Sequence, residues 1–176
     1  LRTELFQTDH RHTNTESDSE VLLNVFAHEL ERATRGVPLQ PEDVFTAVRA
    51  VHKRIKGSYA VIALIAGHGL LAFRDPHGLR PLVLGRLGAG GVVARESCAF
   101  GPVGATFERE IEPGEVVLID ETGLTSDRMS NRPQRATCLF EFIYFARPDS
   151  YLDGSTVYAA RSRMGETLAR EHPVEA

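Results

Sequence analysis

Ser58-Tyr59-Ala60-Val61-Ile62-Ala63-Leu64-Ile65-Ala66-Gly67-His68-Gly69-Leu70-Leu71-Ala72-Phe73-Arg74 is where the chain changes its periodicity. Ser58 to Ala66 is a continuous β-branched and apolar run, the pattern of a strand covered on both faces. Gly67-His68-Gly69 is a turn signal and Leu70 to Arg74 a second strand, so the stretch predicts a hairpin. Upstream the period is helical. Ser17 or Asp18 opens a helix, with Glu20 placed to complete a capping box. Val21, Leu22, Val25, Phe26 and Leu30 form its apolar stripe, and Gly36 is expected to stop it. Pro41 opens a second helix, with Glu42 and Asp43 in its first turn and Val44, Phe45, Val48, Val51 and Ile55 on one face. Gly57 ends it.

Downstream, Asp75-Pro76-His77-Gly78 is a strong turn. Pro81 to Gly85 and Gly91 to Glu96 read as short strands. Phe107 to Ile111 and Glu115 to Asp120 read as a hairpin around Glu112-Pro113-Gly114. Residues 121 to 135 read as a polar loop, the one plausible domain boundary. Cys138 to Phe145 is apolar and aromatic, and Ser155 to Glu171 reads as a helix. Two helices followed by hairpin-linked strands indicate an α+β fold, an antiparallel sheet with helices layered on it.

The 176 residues are 42% hydrophobic and 25% charged, with a formal net charge of -4. That balance is ordinary for a soluble globular protein and does not advertise nucleic acid or an anionic membrane. No apolar run approaches the ~20 residues that span a bilayer, and no signal peptide opens the chain. Two cysteines, Cys98 and Cys138, are too few for a disulfide scaffold and fit a reducing cytoplasm.

Several residue groups carry both a chemical and a structural reading. Thr15-Glu16-Ser17-Asp18-Ser19-Glu20 is a helix cap; Asp18, at a helix start beside a loop, also suits a ligand's ammonium group. Both can hold at once. In Phe73-Arg74-Asp75-Pro76-His77-Gly78-Leu79-Arg80-Pro81, the residues Arg74, Asp75 and Arg80 either form a buried ion pair or bind a phosphate, and the structural reading is favoured. His10 and His12 lack partners at metal-ligand spacing. Cys98 and Cys138 form no Cys-x-x-Cys pattern, and inert thiols are the default.

Four stretches together resemble the amidophosphoribosyltransferase family over essentially the whole chain. They are His12 to Leu23 (HTNTESDSEVLL), Phe73 to Gly85 (FRDPHGLRPLVLG), Ile111 to Val116 (IEPGEV) and Phe140 to Ser150 (FEFIYFARPDS). The Phe145-Ala146-Arg147-Pro148-Asp149-Ser150 run is specific to that family, whereas the RDP-x-G-x-RP turn is shared more widely among N-terminal-nucleophile amidotransferases. The run argues against glucosamine-phosphate synthase or asparagine synthetase. A non-catalytic binding module on the same scaffold is the alternative from another class.

The resemblance implies an N-terminal-nucleophile hydrolase-like fold of stacked antiparallel sheets with helix layers, incomplete here. Residues 1–130 would be the later part of a glutaminase domain, and 131–176 the junction and beginning of a phosphoribosyltransferase domain. It implies glutamine and phosphoribosyl pyrophosphate as substrates and 5-phosphoribosylamine as product, in the first committed step of purine synthesis. Asp18 would hold the glutamine α-ammonium, and Tyr144 would lie between the two active sites. Cys138 matches an iron–sulfur ligand in the members that carry a 4Fe-4S cluster; Mg2+ would accompany phosphoribosyl pyrophosphate at a site outside this chain. Purine nucleotides as feedback inhibitors, a homo-oligomer and a cytoplasmic location are further implications. Arg95 departs from the family, which usually has serine there.

The family's nucleophilic cysteine, its carboxylate-binding arginine and its Asn-Gly oxyanion pair match nothing in these residues, so the chain reads as an internal fragment. Neither Cys98 nor Cys138 has the free α-amine that serves as base. Purified alone, these 176 residues are expected to release no ammonia from glutamine. An ammonia assay checks this, and turnover lost on mutating Cys98 or Cys138 would contradict it.

Overall fold

The computed structural model describes residues 1–34, 38–128 and 135–174. Gly36, the expected helix stop, lies outside them, as do residues 129–134 of the expected loop. A short helix, α1 (Arg2–Gln7), precedes α2 (Asp18–Ala33) and α3 (Pro41–Arg54). Among the described residues nine strands follow: β1 (Ala60–Ile65), β2 (Gly69–Arg74), β3 (Val83–Leu87), β4 (Gly90–Ala94), β5 (Thr106–Glu110), β6 (Glu115–Asp120), β7 (Gly123–Arg128) and the short pair β8 (Tyr151–Leu152) and β9 (Ser155–Thr156). A π turn, Glu141–Phe145, precedes β8, and α4 (Val157–Glu171) comes last. No helix among the described residues is long and apolar enough to cross a membrane.

Seven of these strands build two antiparallel sheets, ordered β1-β2-β6-β7 and β4-β3-β5, while β8 pairs with β9 in a two-stranded ribbon. Side-chain alternation along β2 and β6 explains the layering. Leu71 and Phe73 of β2, with Val116 and Leu118 of β6, face the helices and pack with Val25, Phe26, Val44, Val48 and Val51. Ala72 and Val117 point the other way and pack with Leu82, Leu84 and Ile111 of the second sheet's side. The order is therefore helices, first sheet, second sheet. Phe73 is central to the helix-facing layer, its ring 6.2 Å from Phe26, 5.8 Å from His52 and 6.1 Å from Tyr59. Truncating such a ring to alanine costs about 3–5 kcal/mol.

The hairpin of β1 and β2 forms as the sequence predicts, with Ala60 opposite Arg74 and Ile65 opposite Gly69. Burial on both faces does not fall on β1, however. It falls on β2 and β6, which have a neighbour on either side. β1 ends the sheet order; Val61, Ala63 and Ile65 face the helices, while Ile62 and Leu64 are 46% and 77% exposed.

Two further expectations are corrected. β5 and β6 do not form a hairpin: β5 pairs with β3, and β6 with β2 and β7. The turn between them crosses from one sheet to the other because Gly114 N–H is tied 2.9 Å to the Asp75 carbonyl. Residues 123–128 are a strand rather than loop, their polar side chains suiting an exposed sheet edge. Arg49 of α3 anchors that edge to the helix layer through Asp127. At the C-terminus Val157 is fully buried, packed with Ala146 and Leu152, while Tyr158, Met164 and Leu168 are exposed.

The exposed faces of β1 and α4 lead to a first expectation for the isolated chain. Uncovered strand edges with β-branched residues template pairing with other chains, and a helix of this length is marginal without tertiary support. The chain is expected to self-associate, with α4 exchanging its amide hydrogens fastest. Sizing chromatography with hydrogen exchange checks this; a monomer whose α4 is as protected as β2 would contradict it.

The buried His52 supplies a second expectation. Its Nδ1 lies 2.7 Å from the Tyr59 hydroxyl, and its Nε2 has no hydrogen-bond partner among the described residues. Burial pushes its pKa down from 6.5 to about 4, the nearby Asp75 charge offsetting only part. The unfolded chain therefore takes up this proton at higher pH than the folded one. The stabilising contribution is complete above about pH 6.5 and is lost as pH falls toward 4, on the order of 3 kcal/mol. His52→Asn keeps a polar atom near Nδ1 without titrating. Urea midpoints between pH 7 and 4 should fall less for this variant than for the parent.

Candidate functional site

The first turn of α2 opens the site. Ser17, in extended backbone, caps the helix: its hydroxyl accepts a hydrogen bond from Ser19 N–H at 3.2 Å. Glu20 does not complete the expected capping box on Ser17. Its carboxylate reaches further back, accepting from Asn14 N–H and Thr15 N–H at 2.7 Å each and from the Thr15 hydroxyl at 2.6 Å. These bonds hold the carboxyl below its usual range, the Asn14 N–H contributing most. The cap and the loop are thus satisfied without Asp18. Its carboxylate is exposed and stands at the positive end of the helix, uncommitted among the described residues.

Asp18 lines a cleft of about 480 Å³. Leu22 and Phe26 of α2 form one wall, and Tyr59 to Ala63 with Phe73 the floor and opposite side. Arg80 lines the same cleft, so an acidic and a basic residue share a recess whose remaining lining is mostly apolar, with Ser19 and Ser58 besides. Tyr59 is fixed by His52, and burial raises its hydroxyl pKa, so it stays neutral there.

Arg80 is placed by the turn before it. Asp75 is fully buried, and its carboxylate accepts from the backbone N–H groups of Tyr59, His77, Gly78 and Leu79 at 2.9–3.3 Å. Arg74, also buried, donates to the carbonyls of Arg80 at 2.6 Å, Ile111 at 2.8 Å and Gly78 at 2.6 Å. Gly78 is required here: its φ is +65°, and a Cβ would meet Pro113 Cγ at 2.7 Å. Arg74 and Asp75 therefore take the structural reading, and Arg80 alone of the three faces the cleft.

Beyond the cleft, Arg80 reaches the π turn. Its Nη1 donates to Glu141 Oε1 at 3.0 Å, and its guanidinium lies 5.6 Å from the Phe145 ring centroid. Glu141 is 1% exposed, and Arg95 grips both its oxygens at 2.8 and 2.7 Å. That contact supplies the reason for a charge at position 95. Tyr144 sits on the same turn, 77% exposed, its ring packed edge-on against Phe145 at 5.8 Å. Cys138 is a free, half-buried thiol one turn earlier, outside the cleft. Cys98 lies elsewhere, 3.2 Å from the Ser150 hydroxyl. Among the described residues no group of three or more His, Cys, Asp or Glu is gathered as metal ligands would be.

The structure thus joins Asp18 and Arg80 in one cleft and links Arg80 to the turn carrying Tyr144. Sequence reasoning missed Glu141 and Tyr59. The signal for Glu141 was present, a lone acidic residue inside the aromatic run Phe140 to Phe145, which burial permits only with a cationic partner.

The family of the glutamine amidotransferase domain matches residues 1–101. An amidophosphoribosyltransferase of Pseudomonas aeruginosa is 49% identical over 182 aligned residues, covering 98% of this chain and 36% of the relative. That of Escherichia coli is 46% identical, covering 97% of this chain and 36% of the relative. Among solved structures, the glutamine phosphoribosylpyrophosphate amidotransferase from B. subtilis complexed with ADP and GMP superposes with a TM-score of 0.82 at 38% identity. It covers 99% of this chain and 36% of that one. The chain spans about a third of the length of these relatives. With its helix layer, two stacked antiparallel sheets and acidic helix start over a cleft, it belongs to the glutamine amidotransferase domain family.

Proposed function

We propose that this chain is the glutaminase-side portion of an amidophosphoribosyltransferase. The whole enzyme would release ammonia from glutamine and join it to phosphoribosyl pyrophosphate, giving 5-phosphoribosylamine, glutamate and pyrophosphate for purine synthesis. The observation that carries the reading is the uncommitted Asp18 carboxylate: Ser17 caps the helix, so Asp18 is left to face the cleft. An α-ammonium group bound there donates a charge-assisted hydrogen bond to a carboxylate that no other group occupies among the described residues. Leu22, Phe26 and Phe73 suit the methylenes of a glutamine side chain.

Neither Cys98 nor Cys138 lines the cleft, so the attacking thiol is assigned to a residue outside this chain. Residues 1–130 belong to the glutaminase unit in this reading, and 131–176 to the junction and the start of the synthetase unit. Tyr144 is then on the route between the two sites. The relatives' nucleotide complexes support purine nucleotides as regulators of the whole enzyme, which we place in the cytoplasm as a homo-oligomer.

A 4Fe-4S cluster takes four thiolates; this chain has two cysteines, so its own residues do not fit one, and Cys138 would need ligands from elsewhere. Mg2+ would enter with phosphoribosyl pyrophosphate, and no residue here is assigned to it.

In the whole protein, Asp18→Asn is expected to weaken glutamine-dependent synthesis by on the order of 2 kcal/mol, the worth of a hydrogen bond to a charged group. Ammonia-dependent synthesis bypasses the cleft and should be retained. Steady-state rates with each nitrogen source decide it. Equal loss with both would make Asp18 a structural residue.

A further inference from the structure

The loop that leads into Asp18 is held by polar contacts rather than by packing, because residues 14–18 are all exposed. Those contacts come from two sides. Glu20 takes the N–H groups of Asn14 and Thr15 and the Thr15 hydroxyl. Arg2 of α1 takes the carbonyls, its Nη1 donating to the Thr15 oxygen at 3.0 Å and its Nη2 to the Glu16 oxygen. The Thr15 hydroxyl also accepts from Ser17 N–H at 3.2 Å, so the clamp reaches the capping residue itself.

The two poles are not equivalent. Glu20 belongs to α2, so it folds the loop back on its own helix. Among the described residues, the hydrogen bonds that tie 14–16 to another element are those of Arg2. A helix as short as α1 does not hold its shape by itself, and its anchoring is correspondingly heavy. Leu5 is fully buried in the helix-facing core. Arg54, at the end of α3, donates to Glu4 at 3.0 Å, to Asp9 at 2.5 Å and to Glu29 of α2 at 2.7 Å. Burial opposes the Arg54 charge, yet its bonds to Asp9 and Glu29 raise its pKa above the ordinary value. His28 of α2 lies 3.3 Å from the other Asp9 oxygen. α1 is thus a bracket, fixed to α2 and α3 at one end and gripping the loop at the other.

We propose that Arg2 is a positioning residue for the Asp18 carboxylate. This rests on the reading of the cleft as a glutamine site, and adds to it the group that keeps Asp18 ready. An exposed helix start frays, because its first N–H groups have no intrahelical acceptor. With Thr15 and Glu16 fixed, Ser17 stays in its extended cap and Asp18 keeps one orientation before an ammonium group arrives. Residues that are ordered only at the moment of binding subtract from affinity, and a loop ordered beforehand does not. Arg2 itself touches no ligand in this role, since both its Nη atoms are spent on main-chain carbonyls. Its planar fork suits two successive carbonyls in a way that a lysine ammonium does not.

Steady-state kinetics of the whole protein, with glutamine and then with ammonia as nitrogen source, test this. Arg2→Met keeps the apolar stem and removes the donors. It should raise KM for glutamine about tenfold, while kcat and the ammonia-dependent rate stay within about twofold. Arg2→Lys keeps the charge without the fork and threatens folding less; its KM should rise about threefold. In an Asp18→Asn background Arg2→Met should add less than about twofold, because the carboxylate it positions is gone. An unchanged glutamine KM in both Arg2 variants overturns the positioning role, and leaves the cleft reading standing where Asp18→Asn still impairs glutamine use. Parallel loss with both nitrogen sources, or an undiminished effect in the Asp18→Asn background, makes Arg2 a structural residue and overturns the role as well. Normal glutamine use by Asp18→Asn overturns the cleft reading and the positioning together.

Discussion

Arg74 and Asp75 are adjacent, oppositely charged and both withdrawn from water, and neither spends its charge chiefly on the other. Asp75 collects backbone N–H groups from Tyr59 and from its own turn, while Arg74 collects carbonyls from Gly78, Arg80 and Ile111. Buried ions of this kind are tolerable only when every polar valence is met. Burial lowers the Arg74 pKa, and the Glu110 charge 3.8 Å away opposes that. The consequence is geometric. The end of β2, the end of the α3–β1 connection and the crossing into the second sheet are pinned to one point. Asp75 also accepts Gly114 N–H at its carbonyl, which is why the turn after β5 leads into the other sheet.

From that point the chain projects Arg80. A guanidinium between two environments can serve both only if its backbone is fixed and its donors are not all used. Here the fixing is done by Arg74 and the partial use by Glu141. The arrangement around Glu141 is a triad with two cations on one carboxylate. Nearby, Glu96 is raised by burial but held below its usual range by the Arg147 N–H, the Ser150 hydroxyl and Arg95. Arg95 contacts both carboxylates. Residues 141–150 are thus bound to β4 and the loop after it by charge rather than by a large apolar interface. The apolar cluster there is small, with Ala146, Leu152 and Val157 at its centre.

At the helix start the division of labour is different. Caps, dipoles and ligands compete for the same few polar groups at a helix N-terminus. Ser17 takes the cap and Glu20 the preceding loop, leaving Asp18 with a favourable field and no partner among the described residues. A residue that stabilises its helix modestly while keeping its hydrogen-bonding capacity suits recognition of a cationic group. Arg80 lines the same cleft, so residues of both charge signs border it.

The helices α2 and α3, the β1–β2 hairpin and the turn at Asp75 were legible in the sequence, because each rests on local signals: apolar period, caps, glycine at positive φ. Asp18 was legible as a candidate for the same reason. Local sequence could not decide which strands pair across the molecule. The Phe107 to Asp120 stretch looks like a hairpin because its turn chemistry is local, whereas the sheet change depends on a bond to Asp75 nearly forty residues earlier. Residues 123–128 looked like loop because an exposed edge strand need not be apolar. Only the tertiary structure decided that β2, not β1, is buried on both faces, that Ser17 rather than Asp18 caps α2, and that Arg80, Arg95 and Glu141 meet. Those outcomes follow from long-range burial and charge pairing, which no residue's immediate neighbours encode.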